Sequence, residues 1–365
     1  MGPPGVAARR LGRAARSRPP GEEPVTDPRA VEATAPVRVD LAGGTLDLWP
    51  LGLLHPGATT VAVAIDLRVR VRVTPTGSDG PTRLVSRDLG TVREIPGADA
   101  PVERGPLELV ERIVRHAQGA RGLEVVVTSP VTAGSGLGTS SALGIAVAAA
   151  VFAARGLRVG RARLVPLVRD LEAVVLGIPT GTQDHHLALH GGLGALEQRP
   201  GDARFRRLGR RTLDGLAARL VPFDSGQARS SAPSNWDMFR RRIEGEPAAI
   251  TALDRVRDAG IAAAAALERE DWPGLGRAMR ADLEARATWS PLVLTPRLER
   301  ILAAASEAGA LGAKVCGAGG GGWGAVLVEP GDRDAVVDAL RDAGGRPADV
   351  GPARHGLRIS RRSAR

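Results

Sequence analysis

Cysteine is almost absent from this sequence. Cys316 is the single cysteine among 365 residues. One cysteine cannot form an internal disulfide, and it leaves too few thiol ligands for a metal cluster of Cys and His. The composition therefore excludes a small disulfide-bonded scaffold and favours a reducing cytoplasm as the compartment.

Aromatic residues and long apolar runs are also scarce. Tyrosine is absent, and aromatic residues make up 2% of the chain, too few to stack the bases of a single-stranded nucleic acid. The longest apolar run, residues 143–154, is too short to cross a bilayer and predicts a buried helix. Residues 1–30 are rich in Arg, Pro and Gly without an apolar stretch, so they predict a disordered tail and no signal peptide. We therefore expect no membrane partner.

Positively charged residues are in excess, and the formal net charge is +10. Most of this excess lies in the first thirty residues and from Arg354 onward, which leaves a body of low net charge. The basic residues are all Arg except Lys314, a bias that we attribute to genome base composition. The charge therefore does not indicate a polyanion, and we expect no nucleic-acid partner.

The chain is long enough for two packed domains, each with its own core. A change of pattern near Pro200 divides the prediction into a tail of residues 1–30 and domains of residues 31–200 and 201–365. Alternating apolar and β-branched residues predict strands at 37–41, 60–73, 82–85, 91–95, 123–128, 220–223, 312–315, 324–328 and 357–359. Helical spacing predicts helices at 107–118, 142–154, 164–176, within 236–309 and at 333–343. This mixture indicates an α+β fold.

A glycine loop stands between a predicted strand and a predicted helix, at residues 134–141. Glycines let the backbone approach a polyphosphate, and the helix that follows offers free amide N–H groups and the positive end of its dipole. The third glycine of a Rossmann loop and the lysine of a Walker A loop are both missing. A tight turn with ordinary serine capping is the structural alternative. The predicted phosphate-binding residues are Gly134, Ser135, Gly136, Leu137, Gly138, Thr139, Ser140 and Ser141.

This loop resembles the phosphate-binding motif of the GHMP kinases, the superfamily of galactokinase, homoserine kinase, mevalonate kinase and phosphomevalonate kinase. Residues 35–48 resemble the first motif of that family and residues 314–323 its third, in the family's order. The resemblance implies a two-domain α+β fold, with an N-terminal domain like ribosomal protein S5 domain 2 and a C-terminal ferredoxin-like α/β sandwich. It also implies ATP as phosphoryl donor, Mg²⁺ as cofactor, and a monomer or homodimer.

The resemblance further implies roles for four residues at the reaction centre. Ser140 and Glu172 match the family's Mg²⁺ ligands, and hydroxyl and carboxylate oxygens suit that ion. Asp184 matches the catalytic aspartate of the sugar kinases, which would act as general base. Arg38 matches an arginine beside that aspartate, where it would stabilise developing negative charge. Each has an ordinary alternative: a helix cap, a solvated helix face, a loop carboxylate and a strand-edge arginine, respectively.

The acceptor side of the resemblance indicates a sugar. Asp47 matches an aspartate that binds sugar hydroxyls, and Arg229 could hold a distal phosphate through its planar fork. The further candidates for substrate contact are Gly43, Gly44, Thr45, Gly319 and Gly320. Helix-surface and core roles, rather than metal binding, are expected for His185, His186 and His190.

Within the superfamily the acceptor is left open. Galactokinases have Glu-His where this chain has Gly44-Thr45, and the Gly-Gly-Thr-x-Asp text looks closer to heptose 7-phosphate kinases and fucokinases, which phosphorylate the anomeric hydroxyl. A sugar or sugar phosphate is therefore the expected substrate. A galactokinase, a mevalonate or homoserine kinase, and a catalytically silent sugar-binding sensor on the same fold are the alternatives.

Overall fold

The computed structural model describes residues 30–77, 80–97, 99–117, 122–132, 134–201, 203–227, 235–290 and 292–362. The tail predicted for residues 1–30 thus lies outside the described residues, except for Ala30. No helix in these ranges is long and apolar enough to cross a membrane.

The larger of two sheets has eight strands. They are β1 (Ala30–Ala42), β2 (Thr59–Pro75), β3 (Thr82–Ser86), β4 (Thr91–Ile95), β5 (Leu123–Thr128), β6 (Leu193–Glu197), β7 (Arg204–Arg207) and β12 (Arg358–Arg362). The order is β12-β1-β2-β5-β3-β4, while β6 pairs with β2 and with β7. The β3–β5 pair is parallel and the other pairs are antiparallel.

Four helices accompany this sheet: α1 (Glu108–His116), α2 (Thr139–Ala154), α3 (Arg161–Leu176) and α4 (Gln183–His190). Helix α2 contacts β1, β2 and the other three helices. Most of its residues are buried, as expected for a helix that is apolar all round. The main hydrophobic core therefore lies around α2, directly after the glycine loop.

The smaller sheet has four antiparallel strands in the order β11-β8-β10-β9. They are β8 (Leu220–Asp224), β9 (Gly312–Val315), β10 (Trp323–Leu327) and β11 (Arg346–Pro347). The accompanying helices are α5 (Arg210–Ala217), α6 (Asn235–Ile243), α7 (Pro247–Glu268), α8 (Trp272–Ala287), α9 (Pro296–Glu307) and α10 (Arg333–Asp342). Helix α8 contacts both β9 and β1, so it lies between the two sheets.

Most predicted elements are present with shifted ends. The strand at 123–128 is confirmed, while the helix predicted from residue 142 begins at Thr139, because the left-handed backbone ends with Gly138. Strands β6, β7 and β11 and helix α5 were not predicted. The division at residue 200 stays a prediction, and strands from both sides of it, among them β7 and β12, belong to the larger sheet.

Candidate active site

The glycine loop joins β5 to α2. Gly134, Gly136 and Gly138 have φ of 80°, 85° and 70°, a conformation that side chains disfavour. A Cβ at Gly136 would lie 2.5 Å from the carbonyl oxygen of Cys316. Glycine is therefore required here both by the backbone conformation and by its neighbours.

A second glycine turn, residues 317–322, lies against this loop. A Cβ on Gly317 would lie 3.1 Å from Cα of Gly136. The backbone N–H of Trp323 donates to the carbonyl oxygen of Ser135 at 3.0 Å. The backbone N–H of Gly320 donates to Val293 O at 3.0 Å. The two glycine motifs are far apart in sequence but thus lie directly against each other in the fold.

The predicted catalytic pair is in direct contact. Arg38, on β1, donates from Nε to Asp184 Oδ1 at 2.5 Å. Its Nη1 donates to the carbonyl oxygen of Gly136, so the arginine joins the first motif, the glycine loop and α4. Burial opposes the charge of Arg38, but Asp184 and Asp40 outweigh it, and the pKa of Arg38 is raised. Arg38 is therefore a fixed cation beside the carboxylate of Asp184, whose side chain is 21% exposed.

The predicted metal ligands also lie together. Ser140 is exposed in the first turn of α2, while Glu172 on α3 is buried. Glu172 Oε2 accepts a hydrogen bond from Ser141 Oγ at 2.9 Å and lies 3.0 Å from His185 Nε2. Burial opposes ionisation of Glu172, but hydrogen bonds from His185, Ser140 and Ser141 outweigh it and lower its pKa. An ionised carboxylate beside an exposed hydroxyl fits Mg²⁺, which usually takes one or two protein ligands plus phosphate oxygens and water.

The histidines of this region hold no metal cluster. No group of three or more His, Cys, Asp or Glu side chains suited to a metal ion exists within the described ranges. His185 is fully buried, while His186 and His190 stack with Phe205 at centroid distances of 5.2 and 5.0 Å. The structure thus shows burial and ring stacking for these side chains, and the expectation that they bind no metal stays a prediction.

The acceptor candidates adjoin the catalytic pair. Asp47 is buried, and its Oδ2 accepts the backbone N–H of Gln183 at 3.0 Å, one residue before Asp184. Burial, followed by the negative charges of Asp184 and Asp40, raises the pKa of Asp47. Thr45 has a left-handed φ of 75° and donates from Oγ1 to Asn235 Oδ1 at 2.9 Å. A strained threonine in contact with α6 is typical of a functional turn.

The remaining acceptor candidates are glycines and Arg229. The turn at Gly43 and Gly44 lies directly before Thr45, and a Cβ on Gly43 would lie 2.0 Å from Thr59 O. Gly319 and Gly320 pack against Val293, since a Cβ on Gly319 would lie 2.6 Å from Val293 O. The prediction for Arg229 lies outside the described residues.

One group of residues at the site was not found from the sequence. Asp40 of the first motif and Lys314 of the third form a buried charge cluster with Asp282 and Arg286 of α8. The single lysine in an arginine-rich chain was the one available signal. Pairing of Asp40 with residues more than 200 positions away leaves no local pattern.

Known proteins place this arrangement in a family. Models described as "GHMP kinases N terminal domain" and "GHMP kinases C terminal" match residues 106–192 and 263–346. The chain is 30% identical over 351 residues to the galactokinase of Mycobacterium bovis, covering 85% of this chain and 92% of that protein.

Two further relatives are named as kinases of other acceptors. Identity is 28% over 358 residues with the mevalonate kinase of Pyrococcus abyssi, covering 91% of this chain and 98% of the relative. It is 25% over 341 residues with the D-glycero-alpha-D-manno-heptose 7-phosphate kinase of Campylobacter jejuni, covering 90% and 98%. The crystal structure of the Methanococcus jannaschii mevalonate kinase has the same fold, with a TM-score of 0.71, 18% identity, and coverage of 90% of this chain and 100% of that one.

The predicted fold and family are therefore confirmed. Two glycine turns meet at the start of a buried helix, on a two-domain α+β scaffold shared with named kinases. By sequence, fold and the assembly of its motifs, this chain belongs to the GHMP kinases, ATP-using phosphotransferases that act on hydroxyl groups of small molecules.

Proposed function

We propose that the chain transfers the γ-phosphate of ATP to a hydroxyl of a sugar or sugar phosphate, at the anomeric carbon. The observation that carries the proposal is the Arg38–Asp184 ion pair beside the glycine loop. It sets a carboxylate and a fixed cation next to a phosphate-binding backbone. Phosphoryl transfer depends mainly on such positioning and charge stabilisation.

In the proposed reaction Asp184 accepts the proton of the acceptor hydroxyl. The oxygen attacks the γ-phosphorus, the bond from that phosphorus to the β-phosphate oxygen breaks, and ADP leaves. Arg38 stabilises the charge that develops on the transferred group. Residues 134–141 hold the triphosphate through backbone N–H groups at the start of α2.

Ser140 and Glu172 would hold Mg²⁺, which when bound neutralises charge on the β- and γ-phosphate oxygens. Ser141 and His185 contact the Glu172 carboxylate and fix its orientation. Such contacts around a ligand carboxylate commonly tune metal affinity.

The charges of the acceptor side favour a polyol over a carboxylate such as mevalonate. Arg38 is paired with Asp184, and Arg286 and Lys314 are both paired with Asp282. Each of these three cations already has an acidic partner, whereas the Asp47 carboxylate suits hydroxyl donors. Arg229 is proposed to hold the distal phosphate of a sugar phosphate. A cytoplasmic enzyme that acts as a monomer or homodimer is also proposed.

Mevalonate phosphorylation is the second candidate, favoured by the 28% identity to the Pyrococcus abyssi mevalonate kinase. A silent sugar sensor is disfavoured because Arg38, Asp184 and Glu172 are all retained. Within the galactokinase class, the absence of Glu-His at Gly44-Thr45 disfavours galactose as acceptor.

The test is ATP consumption by the purified chain with aldoses, heptose 7-phosphates, mevalonate and homoserine. We expect turnover with a sugar or sugar phosphate. In NMR spectra, the anomeric proton signal of the free sugar should disappear as the product forms. Turnover only with mevalonate or homoserine would contradict the sugar assignment. Asp184→Asn should lower kcat by about 10²–10⁴-fold, while nucleotide binding measured by calorimetry stays intact.

A further inference from the structure

Four charged side chains are buried together where the two halves of the chain meet. Lys314 Nζ lies within ion-pair distance of Asp282 and is 3.5 Å from Asp40 Oδ2. Arg286 Nε donates to Asp282 Oδ2 at 2.8 Å. Exposure of these side chains is between 0% and 4%. We call Asp40, Asp282, Arg286 and Lys314 the buried charge cluster.

A contribution to stability alone does not explain this cluster. Removing four charges from water costs a large desolvation free energy, and apolar residues of similar volume often stabilise a core as well or better. Asp40 Oδ1 is buried and has no hydrogen-bond partner among the described residues, which adds to that cost. Lysine is notable here because the chain uses Arg at every other basic position.

The contacts of the cluster point to two backbone turns. Asp282 Oδ1 accepts the backbone N–H of Gly43 at 2.7 Å. A Cβ on Gly44 would lie 2.6 Å from Asp40 Oδ2 and 2.8 Å from Arg286 Nη2. On the other side, Arg286 Nη1 donates to the carbonyl oxygen of Gly317 at 3.4 Å. One cluster therefore contacts both the acceptor turn and the glycine turn that lies against the phosphate loop.

The cluster also acts on the reaction centre through its charge. Asp40 contributes to the raised pKa values of Arg38 and Asp47, in addition to the effects of burial and of Asp184. Burial opposes ionisation of Asp282, but Lys314 and Arg286 outweigh it and lower its pKa. Asp282 is thus held as an anion, and its Oδ1 accepts the backbone N–H of Gly43.

We propose that Asp40, Asp282, Arg286 and Lys314 are positioning residues, which hold the acceptor turn at Gly43–Gly44 in register with the glycine turn at 317–322. The role suits the compact ammonium group of lysine, which contacts two carboxylates at a fully buried position where a longer, planar guanidinium would have to displace its neighbours. The proposal rests on the proposed function, because it assigns the acceptor to this turn. It predicts that the cluster sets acceptor affinity more than ATP affinity.

The test compares Lys314→Met, Lys314→Arg and Asp282→Asn with the wild type. Leu340→Ala is the matched control, because it removes a fully buried side chain of α10 that contacts neither turn. All four variants are assayed well below their unfolding temperatures, with the acceptor that the wild type phosphorylates. Measured quantities are kcat, KM for the acceptor, KM for ATP, and Tm.

We expect the acceptor KM to rise about tenfold or more in Lys314→Met and Asp282→Asn, with the ATP KM changed by less than about threefold. Lys314→Arg should resemble Lys314→Met despite its retained charge. Leu340→Ala should lower Tm without moving either KM. Asp282→Asn keeps the side-chain volume but removes the charge that pairs with Lys314 and Arg286, so it tests the proposal even if Lys314→Met does not fold.

Two outcomes overturn the positioning role. One is a lowered Tm in the cluster variants with unchanged KM values for acceptor and ATP, the result expected for Leu340→Ala. The other is an equal rise of both constants, which indicates general distortion. A wild type that phosphorylates only mevalonate contradicts the proposed function alone, since the cluster variants can then be measured with mevalonate.

Discussion

The carboxylate of Asp184 lies against the backbone of Gly138. A Cβ on Gly138 would lie 2.7 Å from both Cγ and Oδ2 of Asp184. Gly138 has a φ of 70° and directly precedes α2. The residue proposed as general base and the loop proposed to hold the triphosphate are therefore neighbours, because one glycine has no side chain.

Gly138→Ala should lower kcat by about a hundredfold, because the new methyl group must displace Asp184 in addition to straining the backbone. Steady-state kinetics with saturating ATP is the measurement. Gly134→Ala is the matched control, since Gly134 has a similar φ of 80° but, in the described part of the chain, no atom lies within 4 Å of the position that its new methyl group would take. An equal loss in both variants would assign the effect to backbone strain alone.

Arg38→Lys should reduce kcat by about 10–100-fold while the protein stays folded. Lysine keeps the charge but cannot donate simultaneously to Asp184 and to the carbonyl of Gly136, as the guanidinium does. The check is kcat together with a circular dichroism spectrum. Wild-type kcat in this variant would remove Arg38 from the reaction centre.

Asp47→Asn should raise the acceptor KM by about tenfold and leave the ATP KM nearly unchanged. The carboxamide oxygen can still accept from the backbone N–H of Gln183, so the fold is kept while an ionisable acceptor for hydroxyl groups is lost. Initial-rate kinetics with each substrate varied in turn measures this. A rise only in the ATP KM would place Asp47 on the nucleotide side.

Stability should fall as the pH is lowered from about 7 to about 5. Burial, with contributions from His190 and His185, lowers the pKa of His186 from 6.5 to about 3. The unfolded chain therefore binds a proton below about pH 6.5 that the folded chain does not, which removes about 1.4 kcal/mol per pH unit. Burial also lowers the pKa of His190, in the same direction.

His186→Phe should flatten this slope, since phenylalanine can keep the ring stack with Phe205 but has no proton to bind. Denaturant unfolding at the two pH values gives the free energies. A variant with the wild-type slope would assign the acid sensitivity to other groups.

Lys314 should not react with amine reagents in the native protein. Its side chain is fully buried, and it is the only lysine of the chain. Peptide mapping after brief treatment with an N-hydroxysuccinimide ester should find no label at Lys314 until denaturant is added. Native labelling at the rate of an exposed lysine would contradict the buried charge cluster.

The sequence predicted the parts of the site that local geometry dictates. The glycine loop was recognisable because a predicted strand, closely spaced glycines and a predicted helix follow one another within a few residues. The structure gives these glycines left-handed φ angles. The contact of Arg38 with Asp184 was implied by the family resemblance. Its distance of 2.5 Å needed the fold, since 146 positions separate the two residues.

The remainder depends on long-range contacts that leave no local pattern. Strand β7 consists of Arg204-Phe-Arg-Arg207, which lacks the alternation of a strand and is stabilised by pairing with β6. Gly43 and Asp282 are 239 positions apart, so neither residue indicates the other. The buried charge cluster could therefore be located only once the chain had been folded.

Strand β12 also determines when the larger sheet can be completed during synthesis. Residues 30–34 of β1 pair with residues 358–362 of β12, which follow far later in the chain. During synthesis the outer edge of β1 stays open until β12 has left the ribosome, and this edge can pair with other chains in the meantime. Deletion of Arg358–Arg362 should leave that edge permanently uncovered, and the shortened protein should aggregate while its nucleotide loop is still folded.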